Sequence, residues 1–137
     1  MRLISLRTIV AATESEDRVK TALSLFLFGD EIETIKTEGH FGNPITILQA
    51  QIKGRTCRRF IELLKSKLPE NELGRLKKEL GERIDDDCCL HIRFDKQAAY
   101  NGIVQLAAAT DTIATQIKLK AYPARREKAM AVAEEFF

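Results

Sequence analysis

The chain opens with apolar and β-branched residues over 3 to 12, a pattern that predicts a strand, and Thr13-Glu14-Ser15-Glu16 follows at once. That tetrad fits a capping box, in which the Thr13 hydroxyl and the Glu16 carboxylate serve free amides at a helix start. Val19, Ala22, Leu23, Phe26 and Leu27 then recur at helical spacing, and Gly29 can take the left-handed conformation that closes such a helix. Segments 31–37 and 45–53 alternate or run β-branched on either side of Gly39-His40-Phe41-Gly42-Asn43-Pro44, which predicts a hairpin.

Cys57, Phe60, Ile61, Leu64 and Leu68 share one face of a helix over 55–68, and Pro69 ends it before a more polar helix over 71–80. Asp85-Asp86-Asp87 reads as a turn, Cys88 to Phe94 as a strand and 103–108 as another. Ile113, Ile117, Leu119 and Ala121 alternate with Thr112, Ala114, Gln116, Lys118 and Lys120, the mark of a strand with one wet face. Pro123 suits a first helical position, and Ala129, Val132, Ala133 and Phe136 form the buried stripe of a C-terminal helix. With no linker, repeat or low-complexity tract, the expectation is one α+β domain over 1–137. Its sheet should be mostly antiparallel, with helices packed on one face.

Composition adds limits. With 137 residues, 45% apolar and 31% charged, the chain can bury a core. Cys57, Cys88 and Cys89 form no metal-like pair, and an odd count suits a reducing compartment. Arg2 and Arg7 break up any leader-like apolar core, and no apolar run approaches a membrane span, so the expected location is cytoplasmic. The net charge of +2 excludes a polycationic nucleic-acid binder. The charge is nevertheless segregated: residues 53–78 carry 9 basic and 3 acidic groups, 79–95 carry 2 and 6, and 96–128 carry 6 and 2.

The first basic cluster is Lys53, Arg55, Arg58, Arg59, Lys65 and Lys67, which fits either a solvated helix face or a phosphate-binding surface. The second is Lys118, Lys120, Arg125, Arg126 and Lys128. Arg125 and Arg126 fall in the first turn of the last helix, where a cation is unfavourable by roughly 0.3–1 kcal/mol unless an anion sits there. That anion is either a phosphate or an internal carboxylate such as Asp85, Asp86 or Glu127. Tyr100 and Tyr122 have basic neighbours in Lys96, Lys120 and Arg125, an arrangement suited to stacking a base and holding its phosphate. The alternative is that both rings are partly buried with their hydroxyls hydrogen-bonded.

Arg93-Phe94-Asp95-Lys96-Gln97-Ala98-Ala99-Tyr100-Asn101-Gly102 is the least generic stretch. Together with Ala12-Thr13-Glu14, the 39–45 loop, Arg83-Ile84-Asp85-Asp86-Asp87 and Ala121-Tyr122-Pro123, it resembles an archaeal family described as predicted RNA-binding proteins or predicted exosome subunits. The resemblance spans nearly the whole chain. It implies a fold similar to large-subunit ribosomal protein five, a homodimer, RNA as ligand, association with RNA processing or the exosome, and no established catalytic residues. The family's strand-exit motif falls on Asp95, Lys96, Gln97 and Tyr100, and its loop motif on Gly39, His40, Gly42 and Asn43.

Catalytic chemistry finds little support. A magnesium-dependent nuclease would draw on Asp85, Asp86, Asp87 and Asp95, but the first three are consecutive and cannot all converge on one ion, which leaves this as the weakest reading. Cys89 and His91 share a strand face but lack a second ligand pair for zinc. No nucleophile elbow and no phosphate-binding glycine loop occurs. The leading expectation is therefore a non-catalytic RNA-binding protein without cofactor or metal, using Lys96, Gln97, Tyr100, Lys118, Lys120, Tyr122, Arg125, Arg126, Arg55, Arg58 and Arg59. The main alternative is a homodimer or protein-interaction module whose basic and acidic segments neutralise one another without nucleic acid.

Overall fold

A computed structural model describes residues 3–11, 13–39, 42, 44–107, 111–120 and 126–137 of the chain. Its elements run β1 (Leu3–Val10), α1 (Glu16–Ser24), β2 (Ile32–Glu38), β3 (Pro44–Lys53), α2 (Thr56–Lys67), α3 (Glu70–Lys78), α4 (Leu80–Arg83), β4 (Cys89–Asp95), α5 (Lys96–Tyr100), β5 (Thr112–Lys118) and α6 (Arg126–Phe136). The strands form one five-stranded sheet in the order β2-β3-β1-β5-β4, and every neighbouring pair is antiparallel. The expected α+β class with a mostly antiparallel sheet is what the chain adopts.

The first strand lies at the centre of the sheet, and its alternation sorts the two faces. Ile4, Leu6, Thr8 and Val10 are buried, whereas Arg7 and Ile9 are exposed. Leu48 and Ile52 of β3, Ile113 and Ile117 of β5, and Leu90, Ile92 and Phe94 of β4 join the buried side. Helices cover that side with Val19, Ala22 and Leu23 of α1, Phe60 and Leu64 of α2, and Ala129 and Ala133 of α6. Phe94 meets Phe26 at 4.7 Å between ring centroids and Phe60 at 6.5 Å, so the sheet, the turn after α1 and α2 share one aromatic contact.

Three local expectations need correcting. The capping box does not form, because the helix starts two residues later than Thr13 would cap it: α1 begins at Glu16 with Ser15 as its N-cap, accepting from the Arg18 amide. The strand expected over 103–108 reduces, over its described residues 103–107, to a single bridge between Phe94 and Leu106, flanked by hydrogen bonds from Asp95 N to Gln105 O and from Ala107 N to Arg93 O. The polar helix after Pro69 breaks at Glu79 and resumes as the short α4. The hairpin, the helix over Thr56–Lys67 and the strand over Thr112–Lys118 fall where the periodicity places them. Gly39 and Gly42 shape the hairpin turn, with Gly42 N donating to Gly39 O and Gly42 at φ 77°.

Candidate nucleic-acid interface

The strand-exit motif builds a buried clasp. Asp95 ends β4 and caps α5, its Oδ1 accepting from the Ala98 amide at 3.0 Å. Lys96, only 1% exposed, then sends its ammonium to Ile9 O at 2.8 Å, Glu14 Oε1 at 2.9 Å and Asp111 Oδ1 at 2.6 Å. Three acceptors match three N–H donors, so the buried charge is both paired and satisfied. The Tyr100 hydroxyl donates to Glu14 Oε2, the Ala11 amide donates to Glu14 Oε1, and the Gln97 amide donates to Asp111. The Arg18 guanidinium lies 5.6 Å from the centroid of the Tyr100 ring.

Burial pushes the Glu14 carboxyl up, but hydrogen bonds from Lys96, Tyr100 and Ala11 outweigh it and hold Glu14 below the usual carboxylate range. Burial, followed by the hydrogen bond and charge of Glu14, raises the Tyr100 hydroxyl well above its ordinary value. These contacts correct the assignment of Lys96 to an RNA surface, because its ammonium is inside and fully occupied. Tyr100 follows the hydrogen-bonded alternative, its hydroxyl tied to Glu14 and its ring half-buried. Gln97 is exposed, with its side-chain amide held by Asp111.

The opposite face of the sheet carries the open surface. Directly paired residues of antiparallel strands point to the same side, so the register defines rows across the sheet. One row runs Glu33, Gln49, Arg7, Ala114 and Arg93, and the next runs Gln51, Ser5, Gln116 and His91. A third runs Lys53, Leu3, Lys118 and Cys89. Arg7, Arg93, Lys53, Lys118, Gln51, Gln116 and His91 are all exposed, and the small Ala114 between Arg7 and Arg93 helps leave a concavity of about 300 Å³ lined by Ser5, Arg7, Gln49, Gln51, His91 and Gln116. Glu33 is the acidic neighbour in the arginine row, and it accepts a hydrogen bond from Gln49 at 2.9 Å.

One member of each basic cluster of the sequence stands on this face, since Leu3 pairs with Lys53 on one side and with Lys118 on the other. Arg55, Arg58, Arg59, Lys65 and Lys67 continue the first cluster along α2 and are exposed. Arg59 packs over the Phe28 ring at 4.7 Å, while Arg55 and Arg58 border a separate hollow with Phe136. Lys120 is exposed just beyond β5. His40, Asn43, Tyr122, Arg125 and the Arg126 side chain lie outside the described residues.

Sequence reading overlooked Arg7, Arg93, Gln49, Gln51 and Gln116. The signal was available as alternation, because each occupies a polar position between buried neighbours in its strand. What no single strand reveals is that these positions fall side by side.

The groups considered for catalysis have structural work. Asp85 accepts from His91 at 2.6 Å and from the Asp87 and Cys89 amides, and chiefly the His91 hydrogen bond holds its carboxyl below the usual range. Burial pushes the Cys57 thiol up, away from nucleophilic reactivity, and its Sγ donates to Ile52 O. No group of three or more His, Cys, Asp or Glu side chains able to hold a metal ion occurs among the described residues. No helix among the described residues is long and apolar enough to cross a membrane.

These features define an α+β protein whose sheet is packed by helices on one side and presents basic and amide side chains on the other. Residues 3–119 match the family model described as RNA binding, and the chain belongs to that family. It is 38% identical over 141 residues to an RNA-binding protein of Pyrococcus abyssi, covering 97% of this chain and 91% of that one. It is also similar to a crystal structure of a protein from Archaeoglobus fulgidus, at 34% identity and a TM-score of 0.90, with 99% of each chain covered. A second solved structure, from Methanothermobacter thermautotrophicus, matches with a TM-score of 0.84 at 34% identity, covering 98% of this chain and 96% of that one. The relatives are named as RNA-binding or left without a function, and none of these names describes an enzyme.

Proposed function

We propose that the chain is a non-catalytic, cytoplasmic RNA-binding module of an RNA-processing assembly such as the exosome, and that it takes single-stranded RNA on the open face of its sheet. The observation that carries this reading is the register that gathers Lys53, Lys118, Arg7 and Arg93 around Leu3, Ser5 and Ala114 on one exposed face. Those four cations hold phosphates. The intervening Gln49, Gln51, Gln116 and Ser5 offer donors and acceptors suited to base edges and 2′-hydroxyls. No Phe or Tyr stands on the described part of that face, so hydrogen bonding reads the RNA, with the exposed His91 ring as a stacking group. Duplex RNA, which hides its base edges in a deep groove, fits a flat amide-rich surface less well.

Filter binding of a single-stranded oligoribonucleotide and of a hairpin duplex, each across a salt series, tests the reading. Single-stranded RNA is expected to bind more tightly, and Arg7→Glu with Arg93→Glu is expected to weaken it by at least about tenfold. Binding unchanged by that double charge reversal overturns the surface assignment. A homodimer buried over this face with no RNA affinity, seen by analytical ultracentrifugation, overturns the function in favour of the protein-interaction alternative.

A further inference from the structure

At the end of β3 the chain leaves the sheet, turns at Gly54 with φ 65° and enters α2. Beside that turn lies a concavity of about 630 Å³ lined by Gly54, Arg55, Cys57, Arg58 and Phe136. Its size falls within the range of small-molecule sites and admits one nucleotide. The Cys57 thiol is committed to Ile52 O and held up by burial, so the hollow offers no nucleophile. It offers two guanidinium groups and an aromatic wall.

Among the described residues no carboxylate is in contact with the two arginines of this hollow, and both are exposed. The described arginines 75 and 83, by contrast, both pair with Glu79. Residues three apart on a helical turn are neighbours, so the two guanidinium groups can converge on one anion. An internal phosphodiester carries one negative charge, which a single arginine matches. A terminal phosphomonoester carries about −1.5 to −2 at neutral pH and presents three acceptor oxygens, a better match for two forks.

We infer that this hollow holds the phosphorylated end of an RNA strand, with Arg55 and Arg58 on the terminal phosphomonoester and Phe136 against the end nucleoside. The inference rests on the RNA-binding reading above and deepens it. Lys53, on the open sheet face, precedes Gly54 directly, so a strand crossing the sheet past Lys118 and Lys53 reaches the hollow with its end. A pocket that takes an end gives the protein a fixed starting register on RNA, which a flat basic sheet does not supply.

Fluorescence anisotropy with one oligoribonucleotide in three forms, 5′-phosphorylated, 3′-phosphorylated and unphosphorylated, tests this and tells the two ends apart. One phosphorylated form is expected to bind at least about tenfold more tightly than the unphosphorylated form, as expected for a charge-assisted, bidentate contact. Arg55→Gln with Arg58→Gln is expected to erase that preference, so that the phosphorylated and unphosphorylated forms bind the variant within about threefold of one another through the sheet-face cations. Both positions are exposed, and a thermal melt confirms that the variant is folded. Equal binding of all three forms by the unaltered protein overturns the pocket while the RNA reading stands. A preference that survives the double substitution overturns the choice of residues. No binding to any form overturns the RNA reading itself. An amide shift at Gly54 and Arg58 with uridine monophosphate, absent with uridine, still supports the hollow in that case.

Discussion

The ammonium of Lys96 lies 2.9 Å from the carboxylate of Glu14, a residue 82 positions earlier in the chain. That contact joins the exit of the central strand to the helical turn after the edge strand β4, and Asp111 brings in the start of β5. Three chain segments that are remote in sequence are thus locked at one end of the sheet by one cation. The clasp leaves the other face of the sheet unobstructed.

Lys96→Met removes the shared cation and leaves Glu14 half-buried without its main partner. Loss of one member of a buried ion pair is expected to cost about 3 kcal/mol, read as a drop in the urea midpoint. A double-mutant cycle with Glu14→Gln should show coupling above about 1 kcal/mol. RNA affinity measured on the fraction that remains folded should not change, because neither side chain reaches the open face.

Acid should loosen the same clasp. Glu14 is held below its ordinary value of 4.5 in the folded protein, so the unfolded chain binds the proton first as pH falls. Its contribution is fully present above pH 4.5 and is lost as the pH drops through the folded value. A pH series of urea melts should show stability declining below pH 4.5, and Glu14→Gln should flatten that part of the curve.

Alkali acts through Tyr100. Its hydroxyl is raised above its ordinary value of 10.0, so the folded state keeps the proton after the unfolded chain has lost it. The contribution is complete below pH 10.0 and is lost as the pH rises through the folded value. Tyr100→Phe is expected to remove about 1.5–3 kcal/mol of charge-assisted hydrogen bonding and to flatten the alkaline limb. Absorbance at the phenolate band follows the titration directly.

Asp95 separates a cap from a catalyst. Asp95→Ala should cost about 1 kcal/mol, since the Ala98 amide loses its acceptor, whereas Asp95→Asn should stay within about 0.5 kcal/mol because asparagine caps as well. RNA incubated with magnesium should remain intact with all three proteins. Cleavage by the unaltered chain that Asp95→Asn abolishes would restore the nuclease reading.

Salt dependence counts the phosphate contacts. If Arg7 and Arg93 each hold one phosphate of a single strand, reversing both should lower the slope of log K against log salt by about 1.4. Arg75→Glu, on α3 and outside the sheet face, should leave the slope unchanged.

Local pattern alone placed most of this fold. The hairpin, the central strand, α2 and β5 follow from periods of 2 and 3.6 in residues that need only their own chain neighbours to be read. Their alternation even marks the wet face of each strand. Where a side chain's role depends on a distant partner, the same logic fails. Glu14 lies just ahead of a helix start, where nothing local distinguishes it, yet it serves Lys96. Lys96 reads as a surface cation beside a tyrosine, yet it is buried because Ile9, Glu14 and Asp111 converge on it. Residues 103–108 have strand-like composition, yet the described part, 103–107, forms a single bridge to β4.

By itself the sequence determined the class of the fold, the buried stripes and the segregation of charge into two basic clusters. Tertiary structure decided which of their members come together. Strand order places β1 between β3 and β5, so Lys53 and Lys118 flank Leu3 although they are 65 positions apart in the chain. The same order sets Arg7 and Arg93 in one row. Charge adjacency across a sheet is a property of register, and long-range backbone pairing fixes register in a way that no local window of residues contains.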